Sequence, residues 1–111
     1  MSRKMPRRMQ PVEVADVLDQ AADLIETEGW CTGRGKKIIG GRAHYCLVGA
    51  IGQFSVKSEP LWAMKNYLKV ADPDFDGWVF SWNDAQTDRR KVVRHVRKCA
   101  KLVRDHKVSV V

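Results

Sequence analysis

Several absences bound what this chain can be. No apolar run approaches the ~20 residues needed to span a bilayer, and no apolar segment follows the basic N-terminal residues as a secretory leader would require. No membrane partner is expected. No Cys-x-x-Cys occurs. The three cysteines, at 31, 46 and 99, are odd in number and widely spaced, which excludes the common zinc modules and points to thiols in a cytoplasm. Thr32 to Lys37 is rich in glycine and base but lacks the G-x-x-x-x-G-K-[ST] pattern, so no nucleotide site is read there. There is no helix-turn-helix, zinc-finger or RNA-recognition signature, hence no expectation of base readout. No cofactor, metal or catalytic set is assigned.

What is present is an ordinary globular composition, with 44% apolar and 30% charged residues in 111, enough for one small core. The expected organisation is a flexible basic arm over 1–10, a single domain over 11–107 and a short apolar tail over 108–111. The net charge of +7 is unevenly spread. Arg3, Lys4, Arg7 and Arg8 stand in the first eight residues without an acid, and residues 87–111 hold nine Lys/Arg against Asp88 and Asp105. The body between them is net acidic. Basic ends around an acidic body point to a polyanionic partner, or to a basic last helix lying on an acidic first one.

The spacing predicts a helix over 11–28. Pro11 suits its first turn, and Val14, Val17, Leu18, Ala21, Leu24 and Ile25 form one apolar stripe. Its other residues include Glu13, Asp16, Asp19, Asp23, Glu26 and Glu28 with no Lys or Arg, an acidic face in want of a cationic neighbour. Gly40-Gly41 between two short runs predicts a hairpin pairing Ile38 with Ala43 and Lys36 with Tyr45. Cys46 to Phe54 reads as a short buried central helix whose Gly49 and Gly52 let another backbone approach. Ser58 is expected to cap a helix with Pro60 in its first turn and Leu61, Met64 and Leu68 inward. Asp72-Pro73-Asp74-Phe75-Asp76-Gly77 matches the front of a calcium loop, but position twelve is Asn83 rather than a bidentate Glu, so an acidic turn is the better reading. Trp78 to Trp82 reads as extended, with Asn83 to Gln86 a turn and Thr87 capping a last helix to about Asp105. The fold class is α+β, mostly helical, with three to four helices around a short central helix, plus one β-hairpin.

Residues 17–30 ending in Gly29-Trp30, then Cys46-Leu47-Val48-Gly49-Ala50-Ile51, then Trp82-Asn83-Asp84 before a Thr-led helix, together resemble a family of small, functionally uncharacterised domains from actinobacteria and their phages. The resemblance spans most of 14–104. It implies a cytoplasmic, phage-encoded protein and no known activity. The dense Arg/Lys face of the last helix and the basic arm depart from that pattern.

Three functions follow. The first is sequence-nonspecific nucleic-acid binding through phosphate contacts from Arg7, Arg8, Lys36, Lys37, Arg90, Arg94, Arg97, Lys98 and Lys101. The second is a regulator or inhibitor that binds a host protein, using the acidic helix, the basic helix, Trp62 or Trp78. Against it stands the expectation that four tryptophans in so small a domain serve the core. The third is a cysteine-dependent hydrolase with Cys46 at a helix start, His44 beside it and Asn83 or Asp84 orienting the imidazole. Oligomeric state is left open.

Overall fold

The first helix begins where Pro11 removes a backbone N–H that would have no partner anyway, and where the Glu13 side chain accepts the Gln10 N–H at 3.0 Å. A computed structural model describes residues 8–33 and 35–111. Among the described residues it has five helices and one hairpin: α1 (Pro11–Glu28), β1 (Lys36–Ile39), β2 (Arg42–Tyr45), α2 (Leu47–Gly52), α3 (Glu59–Ala71), α4 (Val79–Asp84) and α5 (Arg89–Arg104). This is the expected α+β class. No helix of the described residues is long and apolar enough to cross a membrane.

The core is built on α1 against α5, the most extensive pairing in the molecule. Val14, Leu18, Ala21 and Ile25 meet Val92, Val96, Cys99 and Val103, all fully buried. Burying a leucine or isoleucine side chain is worth about 1.5–3 kcal/mol, so these stripes dominate the stability. The helices α2 and α3 close the other side of α1 with Leu47, Ile51, Met64 and Leu68. Val108 and Val110 of the tail dock on this core, and Asn66 Nδ2 donates to the carbonyls of Ser109 and Val111 at 3.0 Å each. Met9, ahead of α1, is also buried, its N–H donating to Glu59 Oε2 at 2.8 Å.

The hairpin has the expected register, Lys36 with Tyr45 and Ile38 with Ala43. Gly40 and Gly41 both take positive φ, as a two-residue turn matching the strand twist demands. The hairpin is anchored at its base, where Cys31 N–H donates to Tyr45 O and Tyr45 N–H to Gly29 O, and nearer its tip by Arg42 Nη2, which donates to Thr27 O at 2.9 Å. Ile38 and Ile39 at the tip stay exposed. Of the two glycines expected to admit a neighbouring backbone, Gly49 does so: a Cβ there would overlap the Gly35 carbonyl, whereas Gly52 faces open space.

Three local expectations need correction. Trp78 to Trp82 is not extended: α4 starts at Val79 and includes Asn83 and Asp84, and its buried residues, Val79, Trp82 and Asn83, step by three and one, a helical spacing. The cap of α5 is Asp88, whose Oδ1 accepts the Arg90 N–H at 2.9 Å, rather than Thr87. Ser58 occupies the cap position of α3, but its side chain makes no capping bond. The acidic turn holds itself: Asp72 Oδ1 accepts the Asp74 N–H, Asp76 Oδ1 the Trp78 N–H, and Asp72 Oδ2 the Trp82 indole N–H.

Candidate functional site

On α5 the apolar residues Val92, Val96, Cys99, Ala100 and Val103 claim one side of the helix, and what remains is almost wholly cationic. The inner edge of that basic side faces α1. Arg97 donates to Asp23 at 2.8 Å and to Glu26 at 3.1 Å, and Arg104 to Asp19 at 2.6 Å and to Asp16 at 2.8 Å. So the acidic face of α1 does have its cationic neighbour, in two forked arginine pairs. These pairs are solvent-accessible, with the arginine side chains 39% exposed, so each is worth at most about 1 kcal/mol.

The outer arc is different. Arg90, Arg94, Lys98 and Lys101 follow at four- and three-residue steps, with Lys91 beside them, and all five are exposed. Among the described residues Lys91, Arg94, Lys98 and Lys101 have no ion-pair partner, and Arg90 has only Asp88 at 3.8 Å with its own side chain 89% exposed. Like charges at these spacings disfavour the helix by about 0.2–0.5 kcal/mol per pair. Arg89, Arg90 and Lys91 also crowd the first turn, the positive end of the helix dipole, where cations are disfavoured. Arg89, Arg90, Arg94 and Arg97 wall a shallow cleft of about 530 Å³ against the end of α1, with Val93 as its floor and Glu26 on its rim.

The nine residues expected to contact phosphate are thus sorted. Arg90, Arg94, Lys98 and Lys101 are brought together. Arg97 is held by α1. Lys36 and Lys37 sit on the hairpin, which packs on α1 and α2, whereas α5 packs on α1 and α3. Lys36 Nζ lies 5.8 Å from the Tyr45 ring centroid, and Lys37 is half-buried. Arg8 is exposed near Glu59, and Arg7 lies outside the described residues. Arg89 and Lys91 belong to the cluster although the sequence reading left them out; their signal was simply their place in the same helix.

The cysteine constellation does not assemble. Cys46 is fully buried as the N-cap of α2, its Sγ accepting the Gly49 N–H at 3.3 Å. Burial pushes its thiol above the ordinary cysteine range, the opposite of an activated nucleophile. The His44 ring packs on Gly29, and its Nδ1 lies 3.0 Å from Arg42 O. Asn83 is committed elsewhere. The Trp30 indole N–H and the Leu47 N–H both donate to Asn83 Oδ1, at 2.8 and 3.0 Å. Its Nδ2 donates to Cys31 O at 3.1 Å and to Asp84 Oδ1 at 3.2 Å. Asp84 Oδ1 in turn accepts the Gly33 N–H. The Gly-Trp, Cys-x-x-Gly and Trp-Asn-Asp segments therefore meet in one structural knot.

Four tryptophans also part company. Trp30 and Trp82 serve the interior, with hydrogen-bonded indoles. Trp62 and Trp78 are 45% and 70% exposed, contrary to the expectation that all are core.

The chain belongs to a family of unknown function, DUF6197, whose model matches residues 9–102. That match begins ahead of α1 and ends within α5, so the knot and all five residues of the basic arc lie inside it. No curated protein and no solved structure matches the chain.

Proposed function

We propose that this DUF6197 domain is a small non-catalytic binding protein that holds nucleic acid through the outer arc of α5, without reading sequence. One observation carries the reading. Arg90, Lys91, Arg94, Lys98 and Lys101 form a contiguous exposed ridge with scarcely a counter-ion, while Arg97 and Arg104 of the same helix are paired with the acids of α1. Phosphates along a strand would supply the missing anions and relieve the repulsion along the helix. A cytoplasmic setting is part of the proposal, and the three cysteines, all present as thiols, fit it. The motif resemblance supports an actinobacterial or phage source.

The test is a titration of purified protein against short labelled DNA and RNA at several salt concentrations. The expected result is binding that falls steeply with salt. Changing Arg90, Arg94, Lys98 and Lys101 to Gln should flatten the log–log salt slope by roughly 3, because each lost phosphate contact removes roughly 0.7–0.9. Absence of binding at low salt would overturn the reading.

The second reading, a regulator of a host protein, draws on the exposed Trp62, Trp78 and Phe80. It predicts binding that is insensitive to the α5 substitutions.

A further inference from the structure

The outward face of α3 carries Trp62, Lys65 and Lys69 at positions that share one side of a helix. Beside it, the chain leaves Gly77 with a positive φ and presents Trp78 and Phe80 at the start of α4. Between them lies a groove of about 250 Å³ whose walls include Val48, Leu61, Trp62, Lys65, Trp78 and Phe80. Trp78 is 70%, Trp62 45% and Phe80 39% exposed. Among the described residues, the groove's only charged wall is a cation. Across α3, a second groove is bordered by Asn66 and Val70 and by Lys98 and Lys107. Cations therefore stand on both sides of α3: Lys98 and Lys107 at the second groove, and Lys65 at the aromatic one.

We infer that the aromatic groove stacks the unpaired bases of a single-stranded nucleic acid whose phosphates run along the lysines of α3 and the arc of α5. The inference rests on the polyanion reading and narrows it to single strands. A base offers a flat apolar face, and its backbone offers an anion every nucleotide. The surface offers indole rings and a phenyl ring edged by Lys65, with Lys69 one turn further along α3, which matches both. A duplex hides its base faces, so it would use the arc and leave the groove idle. An apolar protein segment would fill the groove but leave the cations without a counterpart.

The experiment measures affinity for labelled oligo(dT) and for a duplex of equal length, with wild type, Trp78→Ala, Trp78→Phe and the α5 Gln variant, each checked for an unchanged melting curve. Trp78 is mostly exposed, so folding should survive its loss. Expected are a roughly tenfold weaker oligo(dT) affinity in Trp78→Ala, recovery of most of it in Trp78→Phe, and unchanged duplex binding in both. If Trp78→Ala leaves oligo(dT) binding intact while the α5 variant removes it, the groove inference falls and the polyanion reading stands. If neither nucleic acid binds wild type at low salt, both fall. If Trp78→Ala abolishes self-association instead of strand binding, the occupant is a second copy of the chain and the inference is overturned.

Discussion

The knot around Asn83 and the outer arc of α5 are both dense in polar groups, and they are opposites. In the knot, each donor and acceptor has a partner, and Asn83 is fully buried. No buried side-chain N or O among the described residues is without a hydrogen bond. In the arc, five cations share scarcely one carboxylate and point to water. Satisfied polar groups in a small interior specify the fold. Unsatisfied like charges crowded on one helix cost stability, and in the proposed function an external polyanion supplies their counter-ions. The inner edge of α5 lies between these extremes, its arginines paired yet accessible.

The largest effect should come from breaking the knot. Asn83→Ala strips the Trp30 indole, the Leu47 N–H and the Cys31 carbonyl of their partner at once, and the last two of these bonds are buried. A loss of about 3 kcal/mol or more is expected, read as a lower urea midpoint. The molecules that remain folded should bind polyanion as before. If Asn83→Ala left the midpoint unchanged, the knot would not be what joins α1, α2 and α4.

The arc should respond in the opposite sense. The four-residue Gln variant, whose salt slope is expected to flatten, should keep or slightly raise its urea midpoint, because it removes several like-charge neighbours. Replacing Arg97 and Arg104 with Gln should do the reverse: polyanion binding falls little, and stability drops by about 0.2–1 kcal/mol for each arginine, less at high salt. If the inner and outer variants behaved alike, the division of α5 into a structural edge and a binding edge would be wrong.

Much of this architecture is legible in the residues. The apolar stripe of α1 and the Gly40-Gly41 turn are local signals, and helix and hairpin follow with the expected bounds and register. The acid-only polar face of α1 and the base-rich α5 also announce one another. What stayed hidden is long-range. Val79, Trp82 and Asn83 form a helical face only because Trp82 reaches Asp72 and Asn83 reaches two separate segments, Trp30-Cys31 and Leu47. An aromatic run by itself reads as a strand. Nor does composition separate Trp30 and Trp82 from Trp62 and Trp78, since an indole's burial is decided by what packs over it. The candidate site was half legible: the sequence shows which cations exist, but only packing shows that Arg97 is taken and that Lys36 and Lys37 stand apart from α5.

The smallest predicted effect links the arc to the interior. The ring of His95 lies edge-on to Trp82 at 5.6 Å, and its Nδ1 is hydrogen-bonded to the Tyr67 hydroxyl at 2.7 Å. Burial holds its pKa below the ordinary 6.5; Lys91, Arg94 and Lys98 lower it further, against the opposing pull of Asp72. The unfolded chain therefore takes up this proton at a higher pH than the folded one. Its contribution to stability is complete above 6.5 and is lost as the pH falls from there toward the folded value. A urea series from neutral pH down to about 5 should show that decline, and His95→Phe should flatten it. The four-residue Gln variant removes Arg94 and Lys98, so the His95 pKa, followed by its ring proton shifts, should move up toward the ordinary value. A bound strand neutralising the same cations should move it the same way. If the Gln substitutions leave the His95 titration where it was, the field of the arc does not reach the core, and arc and interior are electrostatically separate.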